Sequence, residues 1–170
     1  MADSGSITFS ASVLPEEYRK TYTNETFSYT PADATEGWVV KLVNVTNSGA
    51  NDLIVAADGI EKSAGTVLTS AKEGSATGDK VKFLFVKHTG TTDGSSTTSD
   101  SLYIRFGSDT AAANDGADSL EVPSGMSWFC RPVNCTAAQV HAISGVVNGG
   151  GAGGGNVQIV VAALLDDVSA

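Results

Sequence analysis

Apolar and polar positions alternate with a period of two along much of the chain. Ile7, Phe9, Ala11 and Val13 alternate with Thr8, Ser10 and Ser12, which predicts a half-buried strand. In the next stretch, "LPEEYRKTY", Pro15 suits a first helical position. Glu16 and Glu17 suit a helix N-terminus, with Arg19 and Lys20 towards its end, so a short helical turn or an ordered arm is expected. "ETFSYT" and "GWVVKLVNVT" (Gly37 to Thr46) read as strands. "LIVAADG" and "GTVLTSA" read as a pair joined at the hairpin signal Asp58-Gly59. In "KVKFLFVKH", Val81, Phe83 and Phe85 share one face and Leu84 and Val86 the other. Apolar residues on both faces predict a central strand covered on two sides.

Thr89 to Ser101 carries no apolar residue. A loop of that length is expected to be functional or mobile. "LYIRFG", "SLEVPSG", "MSWFCR", "QVHAISGVV" and "NVQIVVAALL" bring the count to about ten short strands with turn chemistry between them. No segment shows a sustained helical period. The prediction is an all-β chain: a single-domain antiparallel β-sandwich over residues 1–170, jelly-roll-like, with a candidate N-terminal arm or helical turn within 1–31.

The Gly-rich stretch 148–156 contains a G-x-G-x-x-G string. A dinucleotide fingerprint needs a helix after the glycines and an acid about 20 residues further on. Here "NVQIVVAALL" is β-branched and the sequence stops short of that acid. No Lys-Ser or Lys-Thr follows for a P-loop. The stretch is expected to be the mobile tip of a last hairpin between "VHAISGVV" and "NVQIVVAALL".

Composition narrows the picture. With 170 residues, one domain is expected, able to bury about 70% of its unfolded surface. Ten Lys plus Arg face nineteen Asp plus Glu, so the summed field at net −9 opposes a phosphate backbone, and no nucleic-acid partner is expected. Lys80, Lys82 and Lys87 read as a solvated face. "MADSGSITFSASV" has neither a basic nor an apolar leader region, and the longest apolar run, "VQIVVAALL", is far below the roughly 20 residues of a spanning helix. A soluble protein made in a cytoplasm, without a membrane partner, is expected.

Candidate chemistry is sparse. The two histidines, His88 and His141, form no metal-ligand spacing. They are expected to be structural or exposed, His141 as a buried partner of a backbone carbonyl. Cys130 and Cys135 lack a second pair for zinc, and free thiols are favoured over a disulfide across "RPVN". "NDGAD" (Asn114 to Asp118) lacks the preceding ligands of a calcium loop. No G-x-S-x-G occurs. No cofactor, metal or catalytic residue is assigned, and the chain is not expected to be an enzyme.

From "DSLYIRFGSDTAAANDGADSLEVPSGMSWFCRPVNCTAAQVHAISG" the chain resembles small virion proteins of tailed bacteriophages, especially capsid decoration (cement) proteins. The shared order is a strand like "LYIRFG", a polar Ala-rich turn, a short "LEVPSG", an aromatic strand like "SWF", and a closing hairpin. The likeness covers roughly Val81 to Val161 and consists mostly of strand-and-turn grammar. It implies a β-sandwich, often a homotrimer, bound to the capsid exterior where subunits of the major capsid protein meet. Such a protein locks the shell against internal pressure after synthesis in the host cytoplasm. The two cysteines and the long Gly stretch depart from the pattern.

Under this resemblance, the segment to Pro31 becomes a binding arm. Tyr18, Tyr22 and Tyr29 are then candidate capsid or subunit contacts, because aromatics are enriched at interfaces. The competing reading packs them on the sandwich edge. A second function class is a carbohydrate-binding or adhesive virion module, in a head fibre or tail. That would require exposed aromatics, whereas Trp38 and Trp128 lie in apolar strands and are expected in the core.

Overall fold

The computed structural model describes residues 5–13, 20–29, 36–47, 51–55, 61–62, 79–107, 119–131, 135–147, 151–152 and 154–166. The strands in chain order are β1 (Gly5–Val13), β2 (Lys20–Tyr29), β3 (Glu36–Val45), β4 (Asn51–Asp52), β5 (Glu61–Lys62), β6 (Lys80–His88) and β7 (Leu102–Phe106). They continue as β8 (Leu120–Val122), β9 (Ser127–Cys130), β10 (Val140–Ser144), β11 (Val146–Val147), β12 (Gly151–Ala152) and β13 (Val157–Asp166). One 3₁₀ turn, Ala137–Gln139, leads into β10. Among the described residues there is no α-helix, and no helix is long and apolar enough to cross a membrane.

Two antiparallel sheets face each other as a β-sandwich. One has the order β5-β3-β13-β6-β9, the other β4-β10-β7-β8. Period-two alternation sends Val157, Ile159, Val161, Ala163 and Leu165 of β13 inward. They meet Leu102, Ile104, Val122, Val140 and Ala142 of the opposite sheet. Each such side chain, fully buried, contributes about 1.5–3 kcal/mol for Val, Leu or Ile.

β6 departs from its expected faces. Leu164 faces Phe83, yet Leu165 already faces Val81, so a bulge at Lys82 reverses the alternation. Val81 therefore joins Leu84 and Val86 in the core instead of sharing a face with Phe83 and Phe85. The bulge also sets the Lys82 ammonium 2.6 Å from the Asp166 carboxylate.

The strand expected at "LIVAADG" is not formed at Leu53 and Ile54, which are buried in a bend that follows the two-residue β4. "GTVLTSA", the Pro15 turn and "NDGAD" lie outside the described residues.

β10 and β13 do not form the expected last hairpin. They belong to opposite sheets, and the chain between them makes its own small ladder, Val146↔Ala152 and Val147↔Gly151. Gly145, at φ +59, turns the chain out of β10 towards it.

Candidate interaction surfaces

The N-terminal strands form a two-stranded sheet of their own, pairing with no other described strand. Their register puts Gly5 opposite Tyr29, Ile7 opposite Phe27, and Phe9 opposite Glu25. A shift between Phe9 and Ala11 then puts Ala11 opposite Tyr22 and Val13 opposite Lys20. Of the three candidate tyrosines, Tyr22 and Tyr29 lie on β2, opposite Ala11 and Gly5 of β1, and Tyr18 lies outside the described residues. β2 starts at Lys20, earlier than "ETFSYT" suggests and within the stretch expected to end a helical turn.

The second surface is the outer face of the five-stranded sheet. Its cross-strand rows are Trp38–Leu164–Phe83, then Val40–Ala162–Phe85–Phe129, then Leu42–Val160–Lys87–Ser127. The first row is closed. The rings of Trp38 and Phe83 meet edge-on, centroids 5.7 Å apart, across the strand that carries Leu164, and Leu164 is 0% exposed. The rows beyond have no such lid, and Val40 and Leu42 are 60% and 64% exposed. Lone exposed apolar residues need no explanation, but a contiguous patch of them marks a contact surface. Among the described residues, β5 pairs with the β3 edge only at Gly37 and Trp38. Lys41 sits on the inward side of β3, opposite Val161, where an inward-pointing charge discourages edge-to-edge pairing.

Trp38 is half-buried on this outer face, away from the expected core, whereas Trp128 is half-buried and packs against the core. Trp128 lies against Phe106, 5.8 Å between centroids at 42°, with Phe106 41% exposed.

The third region is the polar end of the sandwich. Here the 89–101 loop is built, not slack. Thr89 N–H donates to Gln158 O and Gln158 N–H to Thr91 O, which ties the loop to the start of β13. Asp93 Oδ1 accepts from the Ser95 and Ser96 amides and the Ser95 hydroxyl, each at 2.9 Å. Those amides hold the Asp93 carboxyl down to about 2. His88, 0% exposed, accepts the Gly90 N–H at Nδ1, which leaves the proton on Nε2 to donate to Asp100 O, both at 2.9 Å.

Asp100 also reaches the Gly run. Its Oδ2 accepts the Gly155 N–H at 2.5 Å, while Ser144 Oγ donates to Gly155 O and Asn47 donates to Gly154 O. Gly154 has φ +122, and a Cβ there would lie 2.6 Å from Gly145 Cα. The C-terminal part of the expected mobile tip is therefore pinned, and an aspartate of the same chain takes the amide a phosphate would have used. Residues 148–150 and 153 of that tip lie outside the described residues.

His141 is 2% exposed and its Nδ1 lies 2.7 Å from Asp52 Oδ1, so its partner is a carboxylate rather than the expected carbonyl. Cys130 and Cys135 are free thiols. Burial first, and then the neighbouring Cys135, pushes Cys130 up to about 12. Among the described residues, no three His, Cys, Asp or Glu gather to hold a metal ion. The chain matches no family model, no curated protein and no solved structure.

Proposed function

We propose that the chain is a structural virion protein of a tailed phage. It acts as a capsid decoration (cement) protein, a homotrimer that binds the shell exterior between subunits of the major capsid protein and stabilises it. The carrying observation is the N-terminal hairpin, a two-stranded ribbon that pairs with no other described strand. A lone two-stranded sheet is marginal in water and needs an apolar partner. Tyr22 and Tyr29, both on β2, are its contact positions. Net charge −9 suits a protein that stays soluble in the host cytoplasm until it meets its shell and does not compete for nucleic acid. The role needs no catalysis and no cofactor. A jelly-roll-like wiring belongs to the same reading. It is supported by a chain that keeps crossing between sheets: β3 to β4, β4 to β5, β6 to β7, β8 to β9, β9 to β10, and β10 to β13.

The test uses shells, from the phage that encodes the chain, that lack this protein. Added protein should co-sediment at a saturating, symmetry-related ratio and raise the temperature of shell rupture. Deleting residues 1–31 should abolish binding and leave the sandwich melt in place. Failure to bind shells, with the protein found in tails or outside virions, would overturn the reading.

An adhesive or carbohydrate-binding virion module is the second reading, favoured by the exposed Phe106 beside Trp128. Glycan binding that is lost in Phe106→Ala would support it, and an empty glycan array would remove it.

A further inference from the structure

We infer that Cys130 and Cys135 are a modification site: a thiol pair that a low-molecular-weight disulfide oxidises to an intramolecular disulfide in the folded chain. The resulting staple lies where the chain leaves one sheet for the other. The inference goes beyond the decoration role and does not depend on it.

The bulge in β6 brings the pair together. Cys130, at the end of β9, stands opposite Leu84. Cys135 stands opposite Val81, whose N–H donates to the Cys135 carbonyl at 2.9 Å, and the neighbouring bridge Lys80↔Thr136 holds the same register. In an unbroken strand, positions 81 and 84 would point to opposite faces, about 10 Å apart. Lys82 is the extra residue, and β13 covers the same stretch in two steps, from Ala163↔Leu84 to Leu165↔Val81. Val81 and Leu84 therefore both face the core, and so do the cysteines across the edge from them. Two strand steps are about 6.6 Å, inside the roughly 4.4–6.8 Å between Cα atoms that a disulfide spans.

The thiols suit a slow, selective reaction. Cys135 is buried in the core cluster and Cys130, half-buried, packs against it. The Cys135 thiol donates to the Thr136 carbonyl at 3.5 Å, a weak bond that costs little to give up. Burial raises both thiols, and Cys130 is raised further by Cys135, so the two groups lie within electrostatic reach of each other. Few thiolates form near neutral pH, which keeps the pair inert in a reducing cytoplasm.

With oxidised glutathione as the oxidant, the Cys130 thiol loses its proton and attacks one glutathione sulfur. One glutathione thiolate leaves, takes up a proton, and a mixed disulfide stays on Cys130. The Cys135 thiolate then attacks the Cys130 sulfur and releases the second glutathione. Two protein thiols become one disulfide, and one glutathione disulfide becomes two thiols. Cys135 immediately precedes Thr136 and the 3₁₀ turn that enters β10 of the opposite sheet. The bond thus ties the end of β9 to the crossing between sheets.

The experiment treats the folded, full-length chain with oxidised glutathione and follows intact mass and melting. The wild type should lose two hydrogens, retain no glutathione, and melt about 4–8 °C higher, with a reductant reversing both changes. Cys135→Ser should stop with one glutathione held on Cys130. Cys130→Ser should react at least about tenfold more slowly than Cys135→Ser, because the buried thiol alone is left. The wild-type rate should climb about tenfold per pH unit from about pH 7 to about pH 10, where an ordinary thiol levels off near about 8.5. A wild type that stays reduced, that retains glutathione without closing the ring, that pairs only between chains, or whose rate levels off near the ordinary value would each overturn the inference. Shell binding is scored separately. A pair that fails to close leaves the decoration role standing, and a chain that ignores shells leaves the disulfide standing.

Discussion

The loop from Thr89 to Ser101 and the outer face of β3 invert the usual expectation about polar and apolar segments. The loop has no apolar side chain, yet hydrogen bonds to His88, Ser124 and Gln158 bind it to the sandwich. The β3 face is a regular strand with apolar residues at Val40 and Leu42, yet they remain open to solvent. Local order comes from whether each group has a partner, not from its hydrophobicity. The loop supplies its own acceptors in Asp93 and Asp100 and borrows one buried imidazole. The β3 face lacks the aromatic lid that Trp38 and Phe83 place over Leu164 one row away. A segment that satisfies itself is structural, and one left open is available for contact.

The strongest way to break this contrast is to remove the imidazole. His88→Leu leaves the Gly90 N–H and Asp100 C=O without their partner, at about 1–3 kcal/mol each. The expected loss is about 3 kcal/mol, a fall in Tm of roughly 6–12 °C. A calorimetric melt within 2 °C of wild type would mean that the loop does not depend on His88.

Gly154→Ala comes next. The positive φ and the 2.6 Å approach to Gly145 Cα are both incompatible with a Cβ. The cost is about 2 kcal/mol. Gly125→Ala, at φ +76 with open space around it, should cost about 1 kcal/mol. Equal melts for the two variants would show that the close approach is not required.

The smallest effect belongs to Asp93. Its folded pKa lies below its unfolded value, so its support for the loop is complete above about pH 4 and is lost as pH falls through about 2. Carbon-detected NMR should place its carboxyl midpoint near 2, with the Ser95 and Ser96 amides moving in step. A midpoint at the ordinary value of 3.8 would show those hydrogen bonds absent in solution.

Much of the sandwich was legible in the sequence. Strands with one clean alternation, such as 102–106 and 157–166, fall where the pattern puts them. The misses share a cause: a single-residue event that a periodic pattern does not carry. The bulge at Lys82 moved Val81 to the core, and the shift after Phe9 set Tyr22 opposite Ala11 instead of Ser12. Sheet membership was equally hidden, since nothing in "VHAISGVV" or "NVQIVVAALL" tells a hairpin from a crossing between sheets. Of the candidate site, the tyrosines were legible as residue types. Val40, Leu42 and Lys87 were not, because "WVVKLV" reads as core unless its neighbours across the sheet are known. The order of the 89–101 loop depends on contacts as distant as Gly155, which composition does not reveal.

The most direct test of the open face is Leu42→Asp, with thermal melting and sedimentation measured on the same sample. The account predicts a Tm within about 2 °C of wild type, because Leu42 already faces water in the single chain, together with loss of self-association. A fall in Tm of more than about 10 °C, the behaviour of a core leucine, or an assembly that survives the change, would contradict it.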